Sequence, residues 1–287
     1  MEIIKRALKY IFSGIPVVEE RHVDAIISVM SPNVFLSKRC ALITGGTSGI
    51  GIAIAKAFVN ADAFVIITGR NEERLNAAVS TINQNYEEER CVGFVLDNRD
   101  VTKFETKLRE ILTITGKKID ILVNNAGING GHISNVEVEE YDQILQTNLR
   151  SVFFLSKLMG KFMRDNKIEG NILNISSASS IRPALSAYHI SKWGIRGLTM
   201  GLARALAPYG IVVNSIAPGP TSTPMLLKDC SNINHPRNLL HRYATPEEIA
   251  NMAVFLTSNM GRTIIGDTIF MSGGGGIVTN EDVDFNI

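Results

Sequence analysis

The chain has 287 residues, beyond the ~100–200 usual for one domain but within the range of a large parallel α/β sheet. With 45% hydrophobic and 20% charged residues it has ample material for a core and no signature of disorder. A formal charge of +1 offers no global field for a phosphodiester backbone or an anionic bilayer, which argues against nucleic acid as a partner.

Residues 1–37 read as an extension. Ile3, Ile4, Leu8, Ile11 and Phe12 fall near helical spacing with Lys5, Arg6 and Lys9 between them. That pattern fits either a basic amphipathic helix on a membrane surface or an arm packed on the body or a neighbouring subunit, and Pro16, by limiting the helix, favours the arm. No small-residue cleavage site follows clearly and no run approaches ~18 apolar residues, so neither export nor a membrane span is expected. Cys40, Cys91 and Cys230 are odd in number and widely spaced, with neither a disulfide framework nor metal-ligand spacing, and fit a reducing cytoplasm.

From Lys38 to the end, residues 38–287, short β-branched runs alternate with helical patterns. CALIT precedes GIAIAKAFVNA, FVIIT precedes NEERLNAAVSTINQ, and CVGFVL precedes KFETKLREILT. IDILVNN leads to one long helix, VEEYDQILQTNLRSVFFLSKLMGKFM. NILNIS, a helix around AYHISKWGIRGLTMGLARALA, IVVNSIA, a helix near PEEIANMAVFLTS and a last strand DTIFMSG complete the series. Strands of this length separated by helices predict a single doubly wound Rossmann-type parallel sheet with helices on both faces and right-handed crossovers. Ligands of such sheets sit beyond the carboxyl ends of the strands.

The first strand runs into GGTSGIG, where Gly45, Gly49 and Gly51 let backbone approach a pyrophosphate at a helix N-terminus. After the second strand, a carboxylate for an adenosine ribose diol would mark NAD; the chain has Gly69 and then Arg70. A guanidinium without that carboxylate points to the 2′-phosphate of NADP(H), the alternative being a solvated arginine opening a helix. Asp97 and Asn98, after the third strand, belong at the adenine edge, although Asp97 equally suits a helix cap.

Tyr188 and Lys192, in YHISK, share one helix face. Bringing a phenol from pKa ~10 to near 7 takes about 4 kcal/mol. An ammonium ~4 Å away supplies about that at an effective dielectric of ~20. The pair follows NISS, whose hydroxyls end a strand, so an acid/base tyrosine acting on a carbonyl or alcohol oxygen is the reading, against a surface helical pair.

Together these residues resemble the short, single-domain branch of the short-chain dehydrogenase/reductase family. TGGTSGIG, NNAG at Asn124–Gly127, Asn148 in TNLRSVFF, ISS at Ile175–Ser177, YHISK and PGPTST at Pro218–Thr223 occur in the family's order, over approximately Lys38 to Gly275. The resemblance implies hydride transfer to or from a nicotinamide without a metal, on a small carbonyl or alcohol substrate, and a homodimer or homotetramer. It implies Tyr188 as acid/base and Lys192 on the nicotinamide ribose. Ser177 would sit on the substrate oxygen, with Asn148 anchoring a water-mediated proton relay. Cofactor contacts are implied at Gly45, Thr47, Ser48, Gly49, Ile50, Gly51, Asn125, Ala126, Gly127, Pro218, Gly219, Thr221 and Thr223, the last on the carboxamide. Two rivals are a sugar-nucleotide epimerase or dehydratase of the longer branch, whose glycine spacing differs, and a non-catalytic NADP-binding sensor or scaffold.

Three departures stand out. Tyr188 follows Ser177 by eleven positions where the family usually has thirteen; Ser272 stands where an aspartate is common; and the N-terminal arm is long. His132, Ser134, Met225, Leu226 and Leu227 are candidates for the substrate pocket, and His189 is read as helix surface or packing. Arg182, Arg237, His241 and Arg242 form a candidate basic entrance for an acyl-carrier-protein substrate. Acyl thioesters, sugars or polyols, and steroids all remain open as substrates.

Overall fold

Seven short apolar runs become seven parallel strands, and the connections between them decide where a ligand can enter. The computed structural model describes residues 34–274 apart from 228, 236 and 237. Its strands are β1 (Cys40–Thr44), β2 (Phe64–Gly69), β3 (Cys91–Val95), β4 (Ile121–Asn124), β5 (Asn171–Ile175), β6 (Val212–Pro218) and β7 (Thr268–Met271). They hydrogen-bond in the order β3-β2-β1-β4-β5-β6-β7, every pairing parallel. The doubly wound sheet expected from the sequence is therefore the fold, with each strand placed within a residue or two of its predicted ends.

Strands buried on both faces read as continuous apolar runs, and alternate residues of β1 feed two separate cores. Ala41 and Ile43 join the core covered by α1 (Gly49–Asn60), α2 (Glu72–Asn83) and α7 (Pro246–Thr257), with Phe58, Leu75 and Ile249 fully buried or nearly so. Cys40 and Leu42 join the core covered by α3 (Phe104–Thr115), α5 (Ser151–Asp165) and α6 (Ala187–Leu206), through Ile111, Met159 and Ala203. At the amino ends of the strands, Asp120 accepts from Cys40 N at 2.8 Å and from Arg39 Nε at 2.5 Å. Arg39 also donates to Asn171 Oδ1 at 2.8 Å, so one guanidinium ties the starts of β1, β4 and β5. Burial raises the Asp120 pKa above the usual carboxylate range, and the Arg39 charge opposes that rise.

One element differs from its prediction. The single long helix is α4 (Val138–Leu145) and α5 joined by a π turn at Gln146–Arg150. A π turn inserts one residue into the helical ladder and is a common mark of functional sites; here it carries Asn148.

The expected arm falls almost wholly outside the described residues. At its end, Leu36 is fully buried in the first core and its N–H donates to Ala61 O at 2.8 Å. The folded body thus takes in residues just ahead of Lys38.

Candidate active site

The chain winds outward from β1 through β2 to β3, then returns to place β4 on the other side of β1. At this reversal the connections diverge and leave a crevice at the carboxyl edge. A cleft of about 550 Å³ lies there. Its floor is stitched across the parting strands: Thr44 Oγ1 accepts from Asn125 N and Ala126 N, each at 3.1 Å, while Asn125 Nδ2 donates to Thr44 O and Gly45 O, each at 3.0 Å. Deeper in the sheet, Asn124 Nδ2 donates to Ser156 Oγ and to Asn174 Oδ1, and Asn174 Nδ2 donates to Thr199 Oγ1, a buried chain across β4, β5, α5 and α6.

The loop after β1 passes so close to its surroundings that side chains are excluded. A Cβ on Gly51 would lie 2.2 Å from Gly45 O and 2.5 Å from Asn125 Nδ2, and Gly49 has φ +54. Ser48, at the N-cap of α1, makes no side-chain cap, and no acidic residue occupies the first helical turn. The N–H groups of a twelve-residue helix therefore meet the cleft without a protein anion, which is the environment a bound phosphate requires.

At the other end, Tyr188 and Lys192 project from α6, whose N-cap Ser186 accepts from His189 N at 3.1 Å. Burial holds the Tyr188 phenol above its ordinary pKa, and a hydrogen bond with Ser177 pulls the other way. Lys192 is 4% exposed; its Nζ donates to Ile175 O at 2.8 Å and lies 5.5 Å from the centre of the Tyr188 ring. An ammonium held on this side of the ring favours a phenolate over a phenol, a pull weaker than the burial that opposes it. The surrounding side chains alone thus leave the phenol protonated at neutral pH. Burial also lowers the Lys192 pKa to about 8.

Ser177 caps the short 3-10 turn Ala178–Ile181, accepting from Ser179 N at 3.1 Å. Ser176 instead donates to Lys192 O at 3.1 Å, turning its hydroxyl to a structural task. Asn148 is fully buried behind the wall: its Oδ1 accepts from Ile128 N and its Nδ2 donates to Ile128 O, both at 2.8 Å, and also to Ser191 Oγ at 3.2 Å.

Nineteen positions singled out in the sequence line the cleft together: Gly45, Thr47, Ser48, Gly49, Ile50, Gly51, Arg70, Asp97, Asn98, Asn125, Ala126, Gly127, Ser177, Tyr188, Lys192, Pro218, Gly219, Thr221 and Thr223. Arg70 is exposed at its rim, with its charge helping to lower the Asp97 pKa. Asp97 is gripped mainly by Arg99, whose Nη2 donates at 2.6 Å and whose backbone N donates to Oδ1 at 3.0 Å. Met225 and Leu226 line the cleft as expected, and so does His189, read from sequence as surface or packing.

His132 and Ser134 do not line it. They are exposed and bonded to one another at 2.8 Å, and the His132 backbone bridges to Ser186. The basic entrance is also weaker than its composition implies. Arg242 donates to both Glu248 oxygens at 2.6 and 2.9 Å and holds that carboxyl down at about 2, while Arg237 lies outside the described residues. Thr245 and Glu248 form a capping box at α7, a signature present in TPEE but not connected to Arg242 by sequence spacing alone. Sequence reasoning passed over Arg99, which follows Asp97 by two positions, the spacing of a side chain folding back on a local turn.

Residues 39–233 match the short chain dehydrogenase family. A 3alpha-hydroxysteroid dehydrogenase of Mediterraneibacter gnavus is 34% identical over 244 residues, covering 83% of this chain and 97% of that protein. A 3-oxoacyl-(acyl-carrier-protein) reductase of Rickettsia bellii is 35% identical over 247 residues, with the same two coverages of 83% and 97%. The crystal structure of a short chain dehydrogenase from Burkholderia cenocepacia in complex with NADP superposes with a TM-score of 0.75 at 30% identity, over 84% of this chain and 99% of that one. The chain belongs to the short chain dehydrogenase family.

The buried lysine generates a stability prediction. Its folded pKa of about 8 lies below the ordinary lysine value of 10.5, so the folded state binds fewer protons and this group's contribution to stability rises with pH between those values. Below pH 8 the cost of burying its charge is present in full, about 3 kcal/mol. Lys192→Met should therefore be at least as stable as the parent at pH 7 in urea denaturation, with the advantage shrinking by pH 10. A clear loss of stability at pH 7 would show that the ammonium is compensated.

Proposed function

We propose that this protein is an NADP(H)-dependent ketoreductase, interconverting a ketone and a secondary alcohol with Tyr188 as acid/base. The observation that carries this reading is the convergence of Tyr188, Ser177 and Lys192 at one end of a cleft whose other end presents an uncapped helix N-terminus beside a glycine loop. The steric exclusion of a Cβ at Gly51 and the absence of a first-turn acid on α1 fit a dinucleotide pyrophosphate. Arg70 at the rim supports NADP(H) over NAD(H), since its guanidinium suits a ribose phosphate.

Bound nicotinamide supplies or takes the hydride. In the reductive direction Tyr188 Oη donates its proton to the carbonyl oxygen, and the Ser177 hydroxyl donates a hydrogen bond to the same atom. Burial keeps Tyr188 protonated and so equips it as the acid. Lys192 holds the nicotinamide ribose and, with its Nζ 5.5 Å from the centre of the Tyr188 ring, favours the phenolate left after donation. Asn148, whose side chain fixes the Ile128 backbone, anchors the path that returns a proton. Thr223, Asp97 and Asn98 line the cleft; Thr223 would hold the carboxamide, and Asp97 with Asn98 the adenine.

We further infer a homodimer or homotetramer. Leu145, Leu149, Phe153, Phe154 and Leu198 line an outward apolar hollow across α4 to α6, with Phe153 49% exposed. The three free thiols accord with a cytoplasmic setting.

Tyr188→Phe should abolish NADPH-dependent ketone reduction while cofactor binding, followed by fluorescence, stays within about two-fold; turnover retained at a tenth or more of the parent rate removes Tyr188 from its role. Titration should show tighter NADPH than NADH binding, and Arg70→Asp should narrow or invert the difference, whereas an unchanged ratio exonerates Arg70. Phe153→Arg should reduce the mass measured by light scattering from a multimer toward 31.4 kDa, and a parent protein already at that mass contradicts assembly.

A further inference from the structure

The first turn of α6 is fixed in a way that helix capping alone does not require. Ser186, its N-cap, is 7% exposed, and the Ser186 Oγ accepts from His189 N at 3.1 Å, the first half of a capping box. At α7 the residue in the corresponding place, Glu248, accepts from the backbone N–H of its cap and completes the box. At α6 that place holds His189, whose ring turns instead to the hydroxyl, with Nδ1 2.5 Å from Ser186 Oγ. The Ser186 backbone is in turn bridged to that of His132.

These bonds decide which ring nitrogen carries the proton. Ser186 Oγ already accepts from a backbone N–H, and among the described residues the acceptor for its own proton is His189 Nδ1. The imidazole is therefore protonated at Nε2, an N–H with no hydrogen-bond partner among the described residues. Burial, and then the charges of Arg182 and His132, hold its pKa below the ordinary range, so the neutral ring is the form present at pH 7. The ring lines the cleft and meets that of Tyr188 edge-on, with centroids 6.0 Å apart. Side chains of a first helical turn tilt toward the helix N-terminus, which is why these two consecutive residues reach the same cleft. A donor pinned in this way loses little rotamer freedom when a ligand oxygen accepts from it.

Resting on the ketoreductase reading above, we propose that His189 Nε2–H donates to a second, uncharged oxygen of the substrate on the carbon next to the reacting carbonyl, so that this enzyme prefers hydroxyketones and the matching vicinal diols to plain ketones. A neutral ring offers no countercharge, so the group that it suits is a hydroxyl rather than a carboxylate. Tyr188 serves the reacting oxygen and His189 its neighbour, two touching rings that present their polar atoms to one short molecule. Met225 and Leu226, on the same lining, receive its alkyl end. The same donor works against a substrate with a methyl group in place of the hydroxyl, because Nε2–H is then covered without a partner.

The test pairs 3-hydroxy-2-butanone with 3-methyl-2-butanone, and 1-hydroxy-2-propanone with 2-butanone, in NADPH-consumption assays of the full chain; in each pair a methyl replaces the hydroxyl. The expected result is a kcat/KM about ten-fold or more higher for the hydroxyketone of at least one pair. The hydroxyl also alters the intrinsic reactivity of the carbonyl, a contribution that cancels when the ratio is compared between variants. His189→Phe and His189→Leu should each lower the ratio about five-fold or more, chiefly through KM for the hydroxyketone. His189→Gln, which returns an N–H, should recover part of it. Two variants without the donor keep the comparison available if one of them fails to fold. A ratio unchanged in these variants, in a reaction lost in Tyr188→Phe, would overturn the His189 contact and leave the ketoreductase standing. Equal turnover of hydroxyketones and their methyl counterparts by the parent would likewise overturn it. No turnover of any of the four ketones with NADPH or NADH would overturn the ketoreductase reading for this substrate class and the proposal with it.

Discussion

The site depends on how two neighbouring strands are held where their connections part. Parallel strands beside a topological reversal open a crevice, but a crevice binds with precision only if its lips are fixed. Thr44 and Asn125 do this by crossing: the hydroxyl of one strand takes two backbone N–H groups of the other, and the amide of the second returns two bonds to the backbone of the first. The glycine loop, α1 and the segment leading to Ile128 all depart from these two residues. Their relative placement is therefore set by short, mutually satisfied bonds rather than by loop packing.

From that anchor the cleft divides by charge. Its β1–β3 side offers helix N–H groups and guanidinium, suited to a phosphorylated nucleotide, while its β5–α6 side offers a phenol between a buried ammonium and an imidazole. The ammonium is kept at a cost to the fold, since burial alone pulls its pKa to about 8. Such a group survives in a core when its task requires it there. The phenol's own environment opposes ionisation, and under the proposed mechanism this separates two jobs that the Tyr-x-x-x-Lys spacing merges: holding the acid form and easing its loss.

Much of this was legible in the residues. β-branched runs such as ALIT and VIIT, recurring between helical patterns, fit doubly covered strands, and the glycines at 45, 49 and 51 stand where a positive φ or a neighbour too close for a Cβ calls for glycine. Tyr188, Lys192 and Ser177 were placed because they follow strand ends in an order that topology brings to one edge. What escaped was decided by contacts between segments. His132 and Ser134 follow a strand end too, but a backbone bridge to Ser186 turns that loop outward. Arg242 looks free in the sequence until Glu248, capping the next helix, neutralises it. His189 looked peripheral because its neighbour already carried the chemistry, and only the shape of the loop before it shows that its ring reaches the cleft.

The π turn at Gln146–Arg150 reaches beyond the site that it serves. Eight residues separate Ile144 from Val152, and in an unbroken α-helix eight steps of about 100° would leave them about 80° out of line. Both are buried, and so is Asn148 within the wide turn between them, so one broad inward face runs through both halves. Phe153 and Phe154 stand outward while Asn148 points in. Reading frame along this helix is thus a shared coordinate: a one-residue deletion between Asn148 and Phe153 would rotate the outer aromatic face and the inner asparagine against each other, so the exposed face and the wall of the cleft cannot change by independent steps here.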